Sequence, residues 1–272
     1  MKKEKTVKVS FSRQLSRSFY AMKGSGLSIV IPVLFDLIFI FLYGSIMGYF
    51  SSYIISNLYS FGSAILQSND ITGTPMMGNV MGALLLMFLL LFIVYALFEG
   101  ASWRMSRIFA TKEKISYAGY LKGFTLANLV WFIPYLIYKA LSFLVAFKFK
   151  YGDASQTAQA GIMQNIPLLI STALVSLFLL ILAYFSSVSY PLIGKSRTMK
   201  AIKDSFVIGY RNFMYIAPRM IFAIALFLIA NMAVVLTSRI SMALMIVLGV
   251  LILLPMMTWA RIYLHMIMQD LE

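Results

Sequence analysis

Apolar residues run almost without interruption from Gly26 to Phe50, and the one charge in that run, Asp36, lies near its middle. About 20 apolar residues in a helix cross a ~30 Å hydrocarbon slab, so this pattern predicts a membrane-spanning helix over 27–50. Further apolar runs predict spans over 79–98, 124–147, 166–190, 213–236 and 241–267. Ahead of the first run, Phe11, Leu15, Phe19 and Met22 share one helical stripe, while Arg13, Arg17 and Lys23 lie mostly off it. The predicted organisation is a basic amphipathic segment over 1–25 followed by a single six-helix domain over 26–272. The fold class is all-α.

The connections differ in character. The segment 51–78 holds no Lys or Arg and is half apolar, with a turn expected at 68–75. Basic segments precede the odd helices, and each odd helix carries a proline that reads as early: Pro32, Pro134 and Pro218. Proline is tolerated near a helix start because its missing N–H has no partner there anyway. Asn128 and Pro134 recur 84 residues later as Asn212 and Pro218. This suggests three helical hairpins, each led by a basic interfacial segment, although shared membrane composition alone produces similar spacings.

Composition narrows the class further. Of 272 residues, 61% are apolar and 12% charged, where a soluble domain carries about 25% charged residues. A water-soluble globule is excluded. The net charge of +14 would suit nucleic acid, but the basic residues flank apolar runs, which is the topology signal of a membrane protein. Of 23 Lys and Arg, 17 fall in the N-terminal segment and in the connections after the second and fourth spans. The positive-inside rule places that side, and both termini, in the cytoplasm. Arg13, Arg17, Lys23, Lys112, Lys114, Lys200 and Lys203 are then candidates for contact with anionic headgroups.

Three two-helix repeats with a basic charge invite comparison with mitochondrial solute carriers. Those have Pro-x-Asp/Glu-x-x-Lys/Arg late in each odd helix, whereas here the prolines open Pro-Val-Leu-Phe-Asp, Pro-Tyr-Leu-Ile-Tyr and Pro-Arg-Met-Ile-Phe. That family does not fit. The closing third carries Ala201-Ile-Lys-Asp-Ser-Phe, Arg211-Asn-Phe, then a hairpin leaving through Trp259, Arg261, Ile262, Tyr263 and Leu264. In this it loosely resembles uncharacterised prokaryotic, archaeal-type six-helix membrane proteins. The resemblance implies a prokaryotic plasma membrane and transfers no activity and no functional residues.

Candidate chemistry lies inside the spans. A charge near mid-bilayer costs from ~3 kcal/mol upward unless paired or hydrated. Asp36 lies four residues beyond Pro32, and Lys139 five beyond Pro134. The two are then within ~2 Å in depth. They are expected either to pair structurally or to serve an ion pathway, with Lys139 snorkelling outward as a third option. Glu99 is read at the end of the second span, neutralised locally by Arg104 or Arg107. Arg219, Arg261 and the single histidine, His265, are read as shallow and interfacial. Gly44-x-x-x-Gly48 and Gly78-x-x-x-Gly82 are expected to let the first hairpin close tightly or to form an oligomer contact.

Other chemistries lack their residues. There is no cysteine and one histidine, which rules out cysteine metal sites, two-histidine zinc sites and Cys/His nucleophile pairs. No phosphate-loop or Gly-x-Ser-x-Gly motif occurs. The 19 methionines read as flexible core filler rather than soft-metal ligands. No cofactor and no metal are expected. The reading favoured is a non-enzymatic membrane component such as a scaffold, assembly factor or accessory subunit, with anionic lipid and a protein partner or second copy as partners. A small-solute or ion transporter using Asp36 and Lys139 is the alternative. A lipid enzyme has too few polar residues to face a headgroup.

Overall fold

The computed structural model describes residues 9–68, 75–113, 115–151 and 166–271. The expected turn over 68–75, the polar stretch expected over 148–165 and Lys114 lie wholly or largely outside them. Among the described residues the chain is helical and contains no strand, only an isolated bridge between Ile193 and Ser196. In order the helices are α1 (Phe11–Gly24), α2 (Val30–Ser68), α3 (Pro75–Thr111), α4 (Tyr117–Tyr151), α5 (Ile166–Leu192), α6 (Thr198–Arg211), α7 (Phe213–Leu236), α8 (Met242–Leu248) and α9 (Leu254–Gln269). Six stretches are long and apolar enough to cross a membrane: Gly26–Asn57, Gly78–Thr111, Tyr117–Ser142, Leu169–Leu192, Phe213–Arg239 and Met242–Gln269. The protein is a multi-pass membrane protein.

Several helices outrun their apolar cores. α2 has 39 residues and α3 has 37, so each is about 55–60 Å long at 1.5 Å per residue, well beyond the hydrocarbon thickness. α3 opens on Pro75, a residue suited to a first helical position. It continues through Glu99, Arg104 and Arg107 because nothing in that stretch breaks a helix. It stops only at Lys112, whose φ of 60° is left-handed; the Lys112 N–H donates to the Ile108 carbonyl at 2.8 Å, an αL-type C-cap. The turn is then fastened by its own arginines. Arg104 donates twice to the Ile115 carbonyl, at 2.9 and 2.6 Å, and Arg107 pairs with Glu113 at 3.2 Å.

This corrects the expected plan in two ways. α1 and α6 are separate 14-residue helices, but the basic residues before α4 are absorbed into helix ends and the link 112–116. Pro134 is the eighteenth residue of α4, not an early one, so the helix passes through it without a free first turn.

The chain divides into two compact units built from discontinuous segments. One contains Met1–Arg17, Ala118–Ala225 and Tyr263–Glu272. Its core includes Tyr120, Phe124, Val188, Ile193, Ile216 and Ile267. Tyr190 donates to Asn128 Oδ1 at 2.7 Å and Trp131 to Ser189 at 3.1 Å, so the buried polar groups joining α4 and α5 are satisfied. Here too Gln14 donates to Asp270 at 2.7 Å, Arg17 pairs with Asp270 at 2.9 Å and Arg219 donates to Gln14 at 2.7 Å. The start of α1 is thus strapped to α7 and to the chain's C-terminal end.

The other unit contains Ser18–Tyr117 and Leu226–Ile262. α2 and α3 run antiparallel in it, shown by the pairs Phe35–Phe98 and Phe39–Tyr95. Trp259 donates to the Ser18 hydroxyl at 3.0 Å and stacks on Phe19 at 5.1 Å. Between α8 and α9 the backbone makes a π-helical turn, Gly249–Leu253. Pro255 follows two residues after its end, and proline cannot donate to the carbonyl one turn back.

Candidate functional site

The densest intramembrane chemistry is a charge cluster shared by α2, α3 and α9. Asp36, the lone acid of its apolar run, projects from the second turn of α2 and is 1% exposed. Glu99 and Ser102 lie three residues apart on α3, hence on one face, and are 7% and 0% exposed. Arg261 comes from the middle of α9 and is 5% exposed. Its guanidinium fork divides its donors between the two acids. Nη1 donates to Asp36 Oδ2 at 2.8 Å, and Nη2 to both oxygens of Glu99 at 2.9 and 3.1 Å. The Ser102 hydroxyl lies 2.8 Å from Asp36 Oδ1 and 3.2 Å from the Pro32 carbonyl, so its single proton goes to the nearer carboxylate. The Trp103 ring lies 6.0 Å from the guanidinium carbon, within cation–π range. Arginine suits this place because its planar fork reaches two carboxylates at once, which a lysine ammonium does less well.

The charge pairing read from sequence is corrected. Asp36 meets Arg261, and Lys139 lies over the rings of Tyr135 and Tyr138 on its own helix, at 5.5 and 5.8 Å. Glu99 is neutralised by Arg261 rather than by Arg104 or Arg107. Arg261 is deep in protein rather than snorkelling, and His265 is likewise buried, at 2% exposure. Arg219 is half-buried, with its guanidinium 3.6 Å from the Tyr215 ring centre.

The tight closure expected at the glycine faces is also corrected. A Cβ placed on Gly44, Gly48, Gly78 or Gly82 meets nothing within 4 Å among the described residues. The first hairpin does not close there. Instead α2 and α3 leave an opening of about 340 Å³ lined by Tyr49, Phe50, Tyr53, Asn79, Gly82 and Leu86, among others. Close packing uses other glycines. A Cβ on Gly123 would meet Ile193 at 2.9 Å, and one on Gly209 would meet the Phe185 ring at 2.9 Å.

The lipid candidates Arg13, Arg17, Lys23, Lys112, Lys200 and Lys203 are all exposed. No trio of His, Cys, Asp or Glu able to hold a metal occurs among the described residues.

The chain matches no protein-family model, no curated protein and no solved structure. Its function therefore has to be read from the geometry. Reading the sequence missed Arg261 and Ser102 as site residues. The signal for Arg261 was present, since an arginine inside Met-Thr-Trp-Ala-Arg-Ile-Tyr-Leu obeys the same rule that singled out Asp36.

Proposed function

We propose that this protein is a non-enzymatic multi-pass membrane component, a scaffold or accessory subunit of a membrane complex. The observation that carries this reading is the way the intramembrane charges are spent. A charge that serves an ion pathway must meet water or the permeant ion. Asp36, Glu99 and Arg261 instead meet one another from three helices, each at 7% exposure or less. Such a closed network works as a staple that fixes which helices are neighbours. The helices α2, α3, α4, α5 and α7 carry long rows of exposed Leu, Ile and Phe, available to lipid and to a partner's helices.

Native mass spectrometry of the protein released from its own membranes tests this. A second polypeptide at fixed stoichiometry is the expected result. A lone chain or homo-oligomer carrying a specific solute would overturn it.

One observation favours a second reading, a small-solute or ion carrier. The sixth span is irregular, with the π turn Gly249–Leu253 ahead of Pro255, and π turns and discontinuous helices recur at functional and carrier sites. Thr258, one turn beyond, is fully buried with a hydroxyl that has no hydrogen-bond partner among the described residues. Proteoliposome flux that falls on Thr258→Val while the fold persists would support the carrier reading against the scaffold.

A further inference from the structure

The helix α6 has a surface that neither water nor a membrane interior suits alone. Its 14 residues span about 21 Å, too short to cross a bilayer. Its inner face is made of small or buried side chains, Ala201, Ile202, Ser205 and Gly209. An apolar stripe and a set of basic residues remain outside. Met199, Phe206 and Tyr210 follow one another at i, i+7 and i+11, and are 59%, 46% and 81% exposed. Lys203 lies along this stripe, one turn beyond Met199, and Lys200 and Arg211 lie on its flank; all three are exposed. A helix bathed in water has no reason to expose the apolar stripe, and one sunk in hydrocarbon cannot carry the basic residues.

The fold holds this helix at the edge of the membrane. The fourth span ends at Leu192 and the fifth begins at Phe213, so both ends of α6 are tethered within a few residues of the boundary. The two ends are also pinned to spanning helices. At the start, Thr198 lies against Gly123 near the beginning of α4; at the end, Tyr184 of α5 donates to the Gly209 carbonyl at 2.9 Å. A 21 Å rod fixed at both ends to the boundary lies along it. Phe206 is wedged from within by Trp131 and Phe185, with ring centres at 5.5 and 4.6 Å, which sets the helix's rotation about its axis.

We infer that α6 is an interfacial binding element for anionic phospholipid. Met199 and Tyr210 enter the boundary between headgroups and acyl chains, and Lys200, Lys203 and Arg211 contact the phosphates. From Lys195 to Arg211 the chain carries five basic residues and one acid, complementary to an anionic leaflet. A lysine or arginine at such a surface gives about a fivefold preference for anionic lipid. The inference is independent of whether the protein is a scaffold or a carrier, since it uses none of the residues of the charge cluster.

The chain has no cysteine, so single cysteines can be placed without background. Tyr210→Cys, Met199→Cys and Lys200→Cys, each spin-labelled in the full-length protein, are compared in vesicles of phosphatidylcholine with phosphatidylglycerol. At Tyr210 and Met199 relaxation by oxygen should exceed relaxation by a water-soluble nickel chelate several-fold, and at Lys200 the order should reverse. Chelate dominance at all three positions would overturn the inference by showing a solvated helix. Shielding of Tyr210 and Met199 from both reagents would overturn it in favour of a protein occupant. In a second arm, the combined Lys200→Gln, Lys203→Gln and Arg211→Gln variant should retain many-fold less phosphatidylglycerol than the parent after gentle extraction. Unchanged retention would overturn the anionic assignment even if the depth result holds.

Discussion

Arg261 answers two carboxylates on two other helices with one side chain, so its removal should hurt more than a single lost contact. In Arg261→Met, Asp36 and Glu99 would stay buried without their cation, with Ser102 still donating to Asp36. Stripping one partner from a buried ion pair costs about 3–5 kcal/mol. Unfolding in mild detergent or by steric trapping should show a loss of that order. The triple change Asp36→Asn, Glu99→Gln and Arg261→Met removes all the charge and should recover much of it, because the penalty lies in the unpaired ions and not in the missing bonds. Additive damage across the three would mean that they do not act as a unit. Ser102→Ala should cost less, about 1–3 kcal/mol, the worth of one hydrogen bond to a charged group. Of these residues Asp36 was legible in the sequence, as an acid with nothing polar nearby. Its partner was not, because sequence gives depth along a helix but not which helix lies beside it. Lys139 at matching depth was an equally good candidate on that information. The structure gives the place to Arg261, and Lys139 rests on Tyr135 and Tyr138.

At the scale of elements, the spans were legible and their ends were not. Apolar runs mark where lipid is, whereas a helix ends where a backbone breaker or cap occurs. α3 therefore runs past the polar Glu99, Arg104 and Arg107 to the left-handed Lys112, which no residue type announces. Reading the span as ended at Phe98 placed Glu99 at a water boundary, where a local arginine seemed its natural partner. The small-residue motifs misled in a related way. Gly-x-x-x-Gly permits close approach but does not compel it, and at Gly44, Gly48, Gly78 and Gly82 the space stays open among the described residues. Gly82→Ala should thus be neutral or stabilise by up to ~1 kcal/mol through helix propensity. Gly209→Ala forces a methyl against the Phe185 and Tyr184 rings and should cost about 1–3 kcal/mol, as overpacking does. Paired thermal-melting measurements on the two variants check the contrast. Equal effects would show that the α5–α6 contact yields more easily than its geometry implies.

Across the whole molecule, an even number of spans obliges the two ends of the chain to emerge on the same side of the membrane. If each of the six apolar stretches crosses the membrane, Lys23, Lys112 and Lys200 fall on one side and the Thr237–Arg239 turn on the other. The distribution of charge predicts which side is which. The connection between the fifth and sixth spans carries one basic residue, Arg239, while that between the fourth and fifth carries five. Short loops rich in Lys and Arg stay on the cytoplasmic face. Lys112→Cys, Lys200→Cys and Ser238→Cys, introduced singly into a chain without native cysteine, can be probed in intact cells with a maleimide that does not cross membranes. All three positions are exposed on the protein, and labelling after the membrane is opened separates sidedness from shielding by lipid. Ser238 should label in intact cells, and Lys112 and Lys200 only after the membrane is opened. Labelling of all three from outside would remove one span from the count. The reverse order would keep the six spans but turn the basic side outward, and α6 with its lysines would then face the outer leaflet.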